Sequence, residues 1–218
     1  MMGADRAVLW DLDGTLVDSR DQHWRAWRSA MAAEGVTITE PQFLASFGQR
    51  NDAILTGWLG ARATPDFIAR VGEEKERRFR ELVEREGATL LPGVAHWVQA
   101  LAAAGWVQAI ASSAPRLNVE VSYRALGMGD RFGAVVSAED VRQGKPDPEV
   151  FLVAATRVGV PPGRCVVVED AAAGIEAARR AGMQSIGVGD GVGHAAAITV
   201  SSLDRLPIDA FDGLIRGL

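Results

Sequence analysis

A chain of 218 residues can hold one large domain, or one domain with a modest insertion. Its composition, 48% hydrophobic and 23% charged, is that of an ordinary globular protein. Because 28 acidic residues outnumber 23 basic ones, the formal charge of −5 argues against nucleic acid as the main partner, which would require a basic face. No apolar run approaches the roughly 20 residues that cross a bilayer, so no membrane partner is expected.

The single cysteine, Cys165, excludes an internal disulfide and is typical of a protein in a reducing compartment. It lies directly before the apolar run 166–168, which indicates a small buried hydrophobic residue. The residues before the first apolar run show no signal-peptide pattern. We therefore expect a cytoplasmic protein.

The first predicted strand, at residues 7–10, is followed by two acids. Four apolar residues are too few for a helix and indicate a strand that is buried on both faces. Asp11 comes directly after it, Asp13 two residues later, and Gly14 permits a tight turn. Neighbouring carboxylates raise each other's pKa, so the pair needs a cation or a hydrogen-bond network to stay ionised. Alternatively, both acids only cap the turn and the next helix. This stretch alone does not decide between the two interpretations.

After Ser19 the pattern changes from strand to helix, and no strand is predicted between residues 20 and 86. Residues that cap the later helices are expected at three places: Thr39, Asn51 and Thr64. The charged run 73–78 is expected to be mostly a solvated helix face with local ion pairs. An all-helical block is therefore inserted after the first strand.

From residue 92 onward, predicted strands and helices alternate. The strands are expected at 107–111, 132–136, 165–168 and 185–188. Repeated strand–helix units of this length imply a parallel sheet with helices on both faces, so the fold class is α/β.

Polar side chains follow these strands at their carboxyl ends, which is where open parallel sheets bind ligands. They are Asp11, Asp13, Ser112, Ser113, Glu169 and Asp170, with Lys145 in a loop near the end of another strand. Each has a simpler interpretation, because either serine or Asp170 could cap a helix and Lys145 could be solvated. Their joint occurrence at one edge argues against coincidence.

This set of residues is suited to phosphoryl transfer. Asp11, Asp170 and Glu169, with a backbone carbonyl at Asp13, offer the oxygen ligands that Mg²⁺ prefers. A carboxylate can attack phosphorus to give an aspartyl phosphate, while Mg²⁺ and Lys145 neutralise the charge. Asp13 is placed to protonate the leaving oxygen and to deprotonate the incoming one. Spacing alone does not decide whether Asp11 or Asp13 is the nucleophile.

Four ordered motifs resemble those of the haloacid dehalogenase superfamily, and the resemblance covers essentially the whole chain. The matching segments are 11–16, 111–112, 144–148 and 169–175. The resemblance implies a Rossmann-like doubly wound parallel sheet with an inserted all-helical cap domain. The expected boundaries are 1–18 and 88–218 for the core and 19–87 for the cap.

The same resemblance implies roles for the residues at the strand ends. Asp11 would be the nucleophile and Asp13 the general acid/base. Phosphate would lie on Ser112 and Lys145, and the Mg²⁺ ligands would come from Asp11, Asp13 and Asp170. From their places at the strand ends, Ser113 is added as a phosphate ligand and Glu169 as a metal ligand. Members that break carbon–halogen bonds work without Mg²⁺ and lack the second acid, so the presence of Asp13 argues against dehalogenation.

The inserted block is similar to the cap of beta-phosphoglucomutase and its phosphatase relatives. The similarity lies in residues 18–19, His23, Trp27, 48–52 and Lys75. It implies that His23, Arg50 and Lys75 lie near the substrate or help to close the cap. Arg50 is favoured as a phosphate ligand because its planar fork matches phosphate oxygens. His23 could instead only position the acid/base loop, Lys75 could be merely solvated, and Trp27 is interpreted as cap core rather than a sugar platform.

These features predict a Mg²⁺-dependent phosphatase that acts on a small phosphorylated metabolite, such as a sugar phosphate. The alternative is a phosphosugar mutase of the beta-phosphoglucomutase type, which His23, Arg50 and Lys75 favour without deciding. A receiver-like, phospho-accepting signalling domain is disfavoured, because it has no reason to carry a large helical insertion after its first strand. The sequence does not identify the substrate.

Two histidines and two tryptophans outside the motifs have structural interpretations. His96 and His194 are interpreted as structural. Trp24 or Trp58, if exposed, would mark a dimer patch, although packing in the cap explains them equally well. We expect a monomer or a weak homodimer.

Overall fold

The computed structural model describes residues 5–189, 192 and 195–215. The interpretation of His194 as structural falls outside these residues. No helix in the described ranges is long and apolar enough to span a membrane.

Six parallel strands form one sheet in the order β3-β2-β1-β4-β5-β6. The strands are β1 (Ala7–Trp10), β2 (Val107–Ala111), β3 (Ala134–Val136), β4 (Cys165–Glu169), β5 (Gln184–Val188) and β6 (Ile198–Val200). The strand order reverses beside β1, which lies between β2 and β4. A crevice at the carboxyl ends of the strands is therefore expected at this point of the sheet.

Helices cover both faces of the sheet, as the sequence predicts. Those after the insertion are α5 (Val94–Ala103), α6 (Arg116–Leu126), α7 (Glu149–Val158), α8 (Ala172–Arg180) and α9 (Ala210–Ile215). Alternate residues of β1 enter two different cores, because Val8 and Trp10 pack in one cluster and Ala7 and Leu9 in the other. Cys165 is fully buried in the second cluster, as expected for a small hydrophobic residue.

The inserted block, residues 20–86, is entirely described and contains no strand, as predicted. Its helices are α1 (Arg20–Ala33), α2 (Glu40–Ser46), α3 (Asn51–Leu59) and α4 (Pro65–Glu86). It has an apolar core of its own that includes Trp27, only 1% exposed, which confirms Trp27 as cap core. Trp24 and Trp58 are half-buried and pack against the same core. His96 is exposed on α5 beside Trp97.

The caps predicted at Thr39 and Thr64 are confirmed, since each side chain accepts a backbone N–H of its helix. The cap predicted at Asn51 is wrong. Arg50 occupies that position, because the Asn51 amide donates instead to Glu76 Oε1 at 2.7 Å.

The solvated face predicted for residues 73–78 is wrong at two positions. Lys75 and Glu76 are 3% and 5% exposed, because the two side chains pair with each other inside the cap. The strand β6 and the helix α9 are not among the elements predicted from the sequence.

Candidate active site

The carboxyl ends of the central strands gather the polar side chains that the sequence singles out. β1 runs into Asp11, β2 into Ser112, and β4 into Glu169 and Asp170, and all four residues are buried. Lys145 is also buried, and its Nζ donates to Asp11 Oδ1 at 2.5 Å and to Glu169 Oε2 at 2.7 Å. A solvated Lys145 is therefore excluded.

The interpretation of Ser112, Ser113 and Asp170 as helix caps is wrong. No side chain caps α8, whose N-cap is Ala171, and none caps α6, whose N-cap is Pro115. Ser112 Oγ instead accepts the N–H of Ala114 at 3.0 Å, within the loop that leaves β2. The Ser113 hydroxyl is buried and has no hydrogen-bond partner, although the residue lines the cavity above the sheet edge.

Asp11, Glu169 and Asp170 form a cluster in which one carboxylate oxygen of each lies within 4.8 Å of the others. Burial, reinforced by the charge of Glu169, raises the pKa of Asp11 to about 7. Burial, reinforced by the charges of Glu169 and Asp11, raises the pKa of Asp170 well above its usual range. Burial works against the charge of Lys145, but Asp11 and Glu169 outweigh it and raise the pKa of the amine. A bound cation would relieve the remaining repulsion among the acids.

A divalent cation fits this cluster. Asp170 Oδ1 is buried and has no hydrogen-bond partner, which is costly unless a cation or water completes it. Its other oxygen lies 3.2 Å from Arg20 Nη2. Both oxygens of Glu169 already have partners, since Oε1 accepts the N–H groups of Asp170 and Ala171 and Oε2 accepts Lys145. Asp11 and Asp170 are therefore the carboxylates best placed to hold Mg²⁺, which prefers hard oxygen ligands.

Asp13 lies in a different environment, and its carboxylate is not a member of that cluster. Its Oδ1 accepts the Ser19 hydroxyl at 2.7 Å and lies 3.1 Å from His23 Nε2. Burial disfavours the charged form of Asp13, but His23, the Ser19 hydroxyl and the charge of Lys75 outweigh it and lower its pKa. Two carboxylates two residues apart therefore have opposite pKa shifts, an arrangement that assigns them different chemical tasks.

A cavity of about 430 Å³ lies between the inserted helices and the sheet edge. The core lines it with Asp11, Asp13, Ser112 and Ser113, and the inserted helices line it with His23, Arg50 and Lys75. A molecule in this space would contact both parts of the chain. Its volume suits a small metabolite rather than a macromolecule.

Lys75 is the centre of a buried polar group in the cap. Its Nζ lies 2.9 Å from His23 Nδ1 and donates to the two oxygens of Glu76 at 2.9 and 3.0 Å. Because an ammonium has only donors, His23 Nδ1 accepts and the imidazole proton lies on Nε2, on the side of Asp13. The His23 ring stacks on Phe79 with a centroid distance of 3.8 Å, which fixes its orientation.

Arg50 extends from the cap to the core. Its Nη1 donates to the carbonyls of Ala138 and Val141 at 3.3 and 3.4 Å, and its Nε lies 3.6 Å from Asp52. Its side chain also packs over Gly144, the residue before Lys145. Arg50 thus lies at the cavity, and its Nη1 donates to backbone carbonyls of the core.

Sequence reasoning assigned no role to two buried polar residues, Glu76 and Asn118. Ser19 was noted only as part of the similarity of residues 18–19 to the cap, without its bond to Asp13. Glu76 lies in the charged run 73–78, which predicted a solvated face. Asn118 lies within α6 and has no local sequence pattern that predicts its role, because its partners are 38 and 42 residues away in sequence.

The model of the haloacid dehalogenase-like hydrolases matches residues 6–182. The Arabidopsis thaliana protein SUPPRESSOR OF QUENCHING 1, chloroplastic, is 34% identical over 189 residues, which cover 85% of this chain but only 18% of that longer protein. A Thermotoga maritima protein named phosphorylated carbohydrates phosphatase is 32% identical over 184 residues, which cover 83% of each protein.

Among solved structures, beta-phosphoglucomutase from Clostridium difficile superposes with a TM-score of 0.87 at 26% identity, and 98% of each chain is covered. The agreement extends over the sheet and the inserted helices, so the fold is a Rossmann-like α/β core with a helical cap. The chain is therefore an enzyme that acts on phosphate esters, and it belongs to the haloacid dehalogenase-like hydrolase family.

Proposed function

We propose that this protein is a Mg²⁺-dependent phosphatase that hydrolyses a small phosphorylated metabolite, such as a sugar phosphate, through an aspartyl phosphate on Asp11. The observation that carries the proposal is the environment of Asp11, which ends a central strand, borders the cavity and is held by Lys145 at 2.5 Å. The relative named phosphorylated carbohydrates phosphatase supports the substrate class.

In the first step, a carboxylate oxygen of Asp11 bonds to phosphorus as the bond between phosphorus and the ester oxygen breaks. Lys145 holds Asp11 in place and offsets part of the negative charge. The hydroxyls of Ser112 and Ser113 are the proposed donors to the phosphoryl oxygens. Asp11 and Asp170, with the backbone carbonyl of Asp13, would hold Mg²⁺, which supplies positive charge toward the phosphoryl group when bound.

Asp13 is the proposed acid and base. An incoming phosphate dianion raises the pKa of this neighbouring carboxyl, so that Asp13 takes up the proton that the leaving oxygen needs. After the leaving group departs, Asp13 is ionised again and accepts a proton from the water that attacks phosphorus. The bond between phosphorus and Asp11 breaks in this step, which releases inorganic phosphate and restores the Asp11 carboxylate. His23 and Ser19 hold its carboxylate in one orientation during both steps.

A phosphosugar mutase is the second candidate, and the superposition on beta-phosphoglucomutase favours it. Such an enzyme must also bind the second phosphate of a bisphosphate. In this cap, the charge of Lys75 is neutralised by Glu76, and Arg50 donates to backbone carbonyls. Hydrolysis is therefore the better-supported reaction.

We also infer that the cap spans residues 19–87, between the two core segments 1–18 and 88–218.

The test is phosphate release from a panel of sugar and polyol monophosphates, with Mg²⁺ and with a chelator. We expect turnover with Mg²⁺, lost by roughly 10³-fold or more in Asp11→Asn because the nucleophile is removed. Asp66→Asn, a change at an exposed cap residue, should match the unaltered protein. Conversion of beta-glucose 1-phosphate to glucose 6-phosphate without phosphate release, in the presence of a bisphosphate primer, would identify a mutase instead. Sustained turnover would also exclude a stoichiometric phospho-acceptor.

A further inference from the structure

A chain of buried polar contacts leads from Asp13 through the cap to Glu76 on α4. His23 lies 3.1 Å from Asp13, and Lys75 lies 2.9 Å from the opposite nitrogen of His23. Lys75 in turn donates to both oxygens of Glu76. His23, Lys75 and Glu76 are all less than one-tenth exposed. Any displacement of the Glu76 carboxylate would therefore be transmitted to the imidazole that faces Asp13.

Glu76 is held from outside its own helix by two amides. Asn51 Nδ2, from α3, donates at 2.7 Å, and Asn118 Nδ2 donates from α6. Asn118 belongs to the core side of the molecule and is 1% exposed. Among the described residues that bond to Glu76, Asn118 alone lies outside the inserted helices.

The amide of Asn118 is chemically matched to this position. Its oxygen accepts Arg80 Nη1 at 2.9 Å, while its nitrogen donates to the carboxylate of Glu76. A carboxylate can only accept and a guanidinium can only donate, so a side chain between them must offer one acceptor and one donor. Glu76 and Arg80 are one turn apart on α4. The single amide therefore fixes this stretch of α4 against α6.

We propose that Asn118 is a positioning residue, which docks α4 on α6 and, through Glu76, Lys75 and His23, aligns Asp13 for proton transfer to the leaving oxygen. The inference rests on the proposed role of Asp13. The contact exists only when the cap lies against the core, so proton transfer becomes efficient only in the closed arrangement. Hydrogen bonds between buried groups are stronger than in water, so each member of such a network restrains the position of its neighbours.

The test exploits leaving groups that need the proton to different degrees. p-Nitrophenolate leaves as a stable anion, whereas the alkoxide of fructose 1-phosphate must be protonated, and kcat/KM reports the step in which either departs. We expect Asn118→Ala to lower kcat/KM for fructose 1-phosphate about tenfold, but for p-nitrophenyl phosphate less than about threefold. Asn118→Asp, which places a carboxyl group beside Glu76, should show a larger difference.

Ser122→Ala is the matched control, because Ser122 is a buried residue one turn further along α6 whose hydroxyl has no partner. It should leave kcat/KM for both substrates unchanged. Asp13→Asn should show the same selectivity as Asn118→Ala, and adding Asn118→Ala to it should cause no further loss. Thermal unfolding of each variant verifies that it is folded.

Equal losses for both substrates in Asn118→Ala, or the same losses in Ser122→Ala, would overturn the inference and leave the proposed function intact. Additive losses in the double variant would also overturn it, because Asn118 would then act independently of Asp13. Absence of leaving-group selectivity in Asp13→Asn itself would refute the proposed acid and the inference together. Absence of turnover in the unaltered protein with p-nitrophenyl phosphate and with every ester of the panel would contradict the proposed function first.

Discussion

Asp11 and Asp170 show at the level of single residues how burial prepares a site for a cation. Each carboxylate is almost inaccessible, and each lies near Glu169, so the ionised form is disfavoured. Lys145 supplies one positive charge to the group. The protein without metal therefore retains protons on this cluster to a pH at which ordinary aspartates are fully ionised.

This leads to a prediction on stability against pH. The folded pKa of Asp11, about 7, and that of Asp170 are raised above the unfolded value near 3.8. Folding therefore takes up protons, and the free energy of unfolding of the metal-free protein falls as pH rises from about 5 to about 7. In the proposed site Mg²⁺ binds the ionised carboxylates, so it should raise Tm more at about pH 7 than at about pH 5.

Thermal unfolding with a chelator and with Mg²⁺ measures both effects. Asp170→Asn should raise Tm of the chelated protein at about pH 7, since it removes a buried repulsion, and should abolish most of the shift caused by Mg²⁺. Asp66→Asn, exposed on the cap, should behave as the unaltered protein. A chelated protein whose Tm rises over this pH range would contradict the prediction.

The residues of the site differ in how far the sequence reveals them. Asp11, Asp13 and Asp170 directly follow strands or their turns, and strand ends meet at one edge of a parallel sheet. Their approach was therefore predictable from topology alone. Asn118 was not, because it lies within a helix and binds partners 38 and 42 residues away in sequence.

At the level of secondary structure elements, a glycine allows α8 to pack closely against Glu169 of the site. Gly174 lies in the first turn of α8, and a Cβ added to it would overlap the carboxylate of Glu169. Glu169 in turn holds Lys145 and the backbone of the turn between β4 and α8. The close approach of helix and carboxylate is therefore part of how Lys145 reaches Asp11.

Two helical glycines make a matched comparison. Gly57 in α3 has open space where a Cβ would lie, so Gly57→Ala should stabilise the protein by about 0.5–1 kcal/mol through helix propensity. Gly174→Ala has the same propensity gain but should destabilise by about 1–3 kcal/mol, because Glu169 must move. Urea unfolding of both variants measures this. A gain in stability in both would show that Glu169 is not confined by α8.

The sequence predicted long, periodic elements better than short ones. The inserted helices and the four inner strands occur where the hydrophobic pattern places them. β6 has only three residues, and α9 has six, too few for either period to be recognised. The cap at Asn51 was predicted wrongly because a tertiary partner, Glu76, takes the amide that would otherwise bond locally.

At the level of the whole molecule, the cavity exists because a helical block is inserted directly after the first strand. The insertion leaves the core just beyond Asp13 and returns before α5, so its helices stand over the carboxyl edge of the sheet. Asp13, the proposed general acid and base, is consequently bounded by both parts of the chain. Ser19 and His23 reach it from the first residues of the insertion.

The Glu76 carboxylate joins these parts, since its partners come from α3, α4 and α6. Burial disfavours its charge, but Lys75 and His23 outweigh this and lower its pKa. Glu76→Gln would leave Lys75 buried without a carboxylate, so we expect a loss of about 3 kcal/mol in the free energy of unfolding. Glu73→Gln, an exposed change one turn earlier on α4, should cost less than about 0.5 kcal/mol. Urea unfolding of both variants measures the two losses in free energy of unfolding. Equal losses would mean that the buried pair does not stabilise the junction of cap and core.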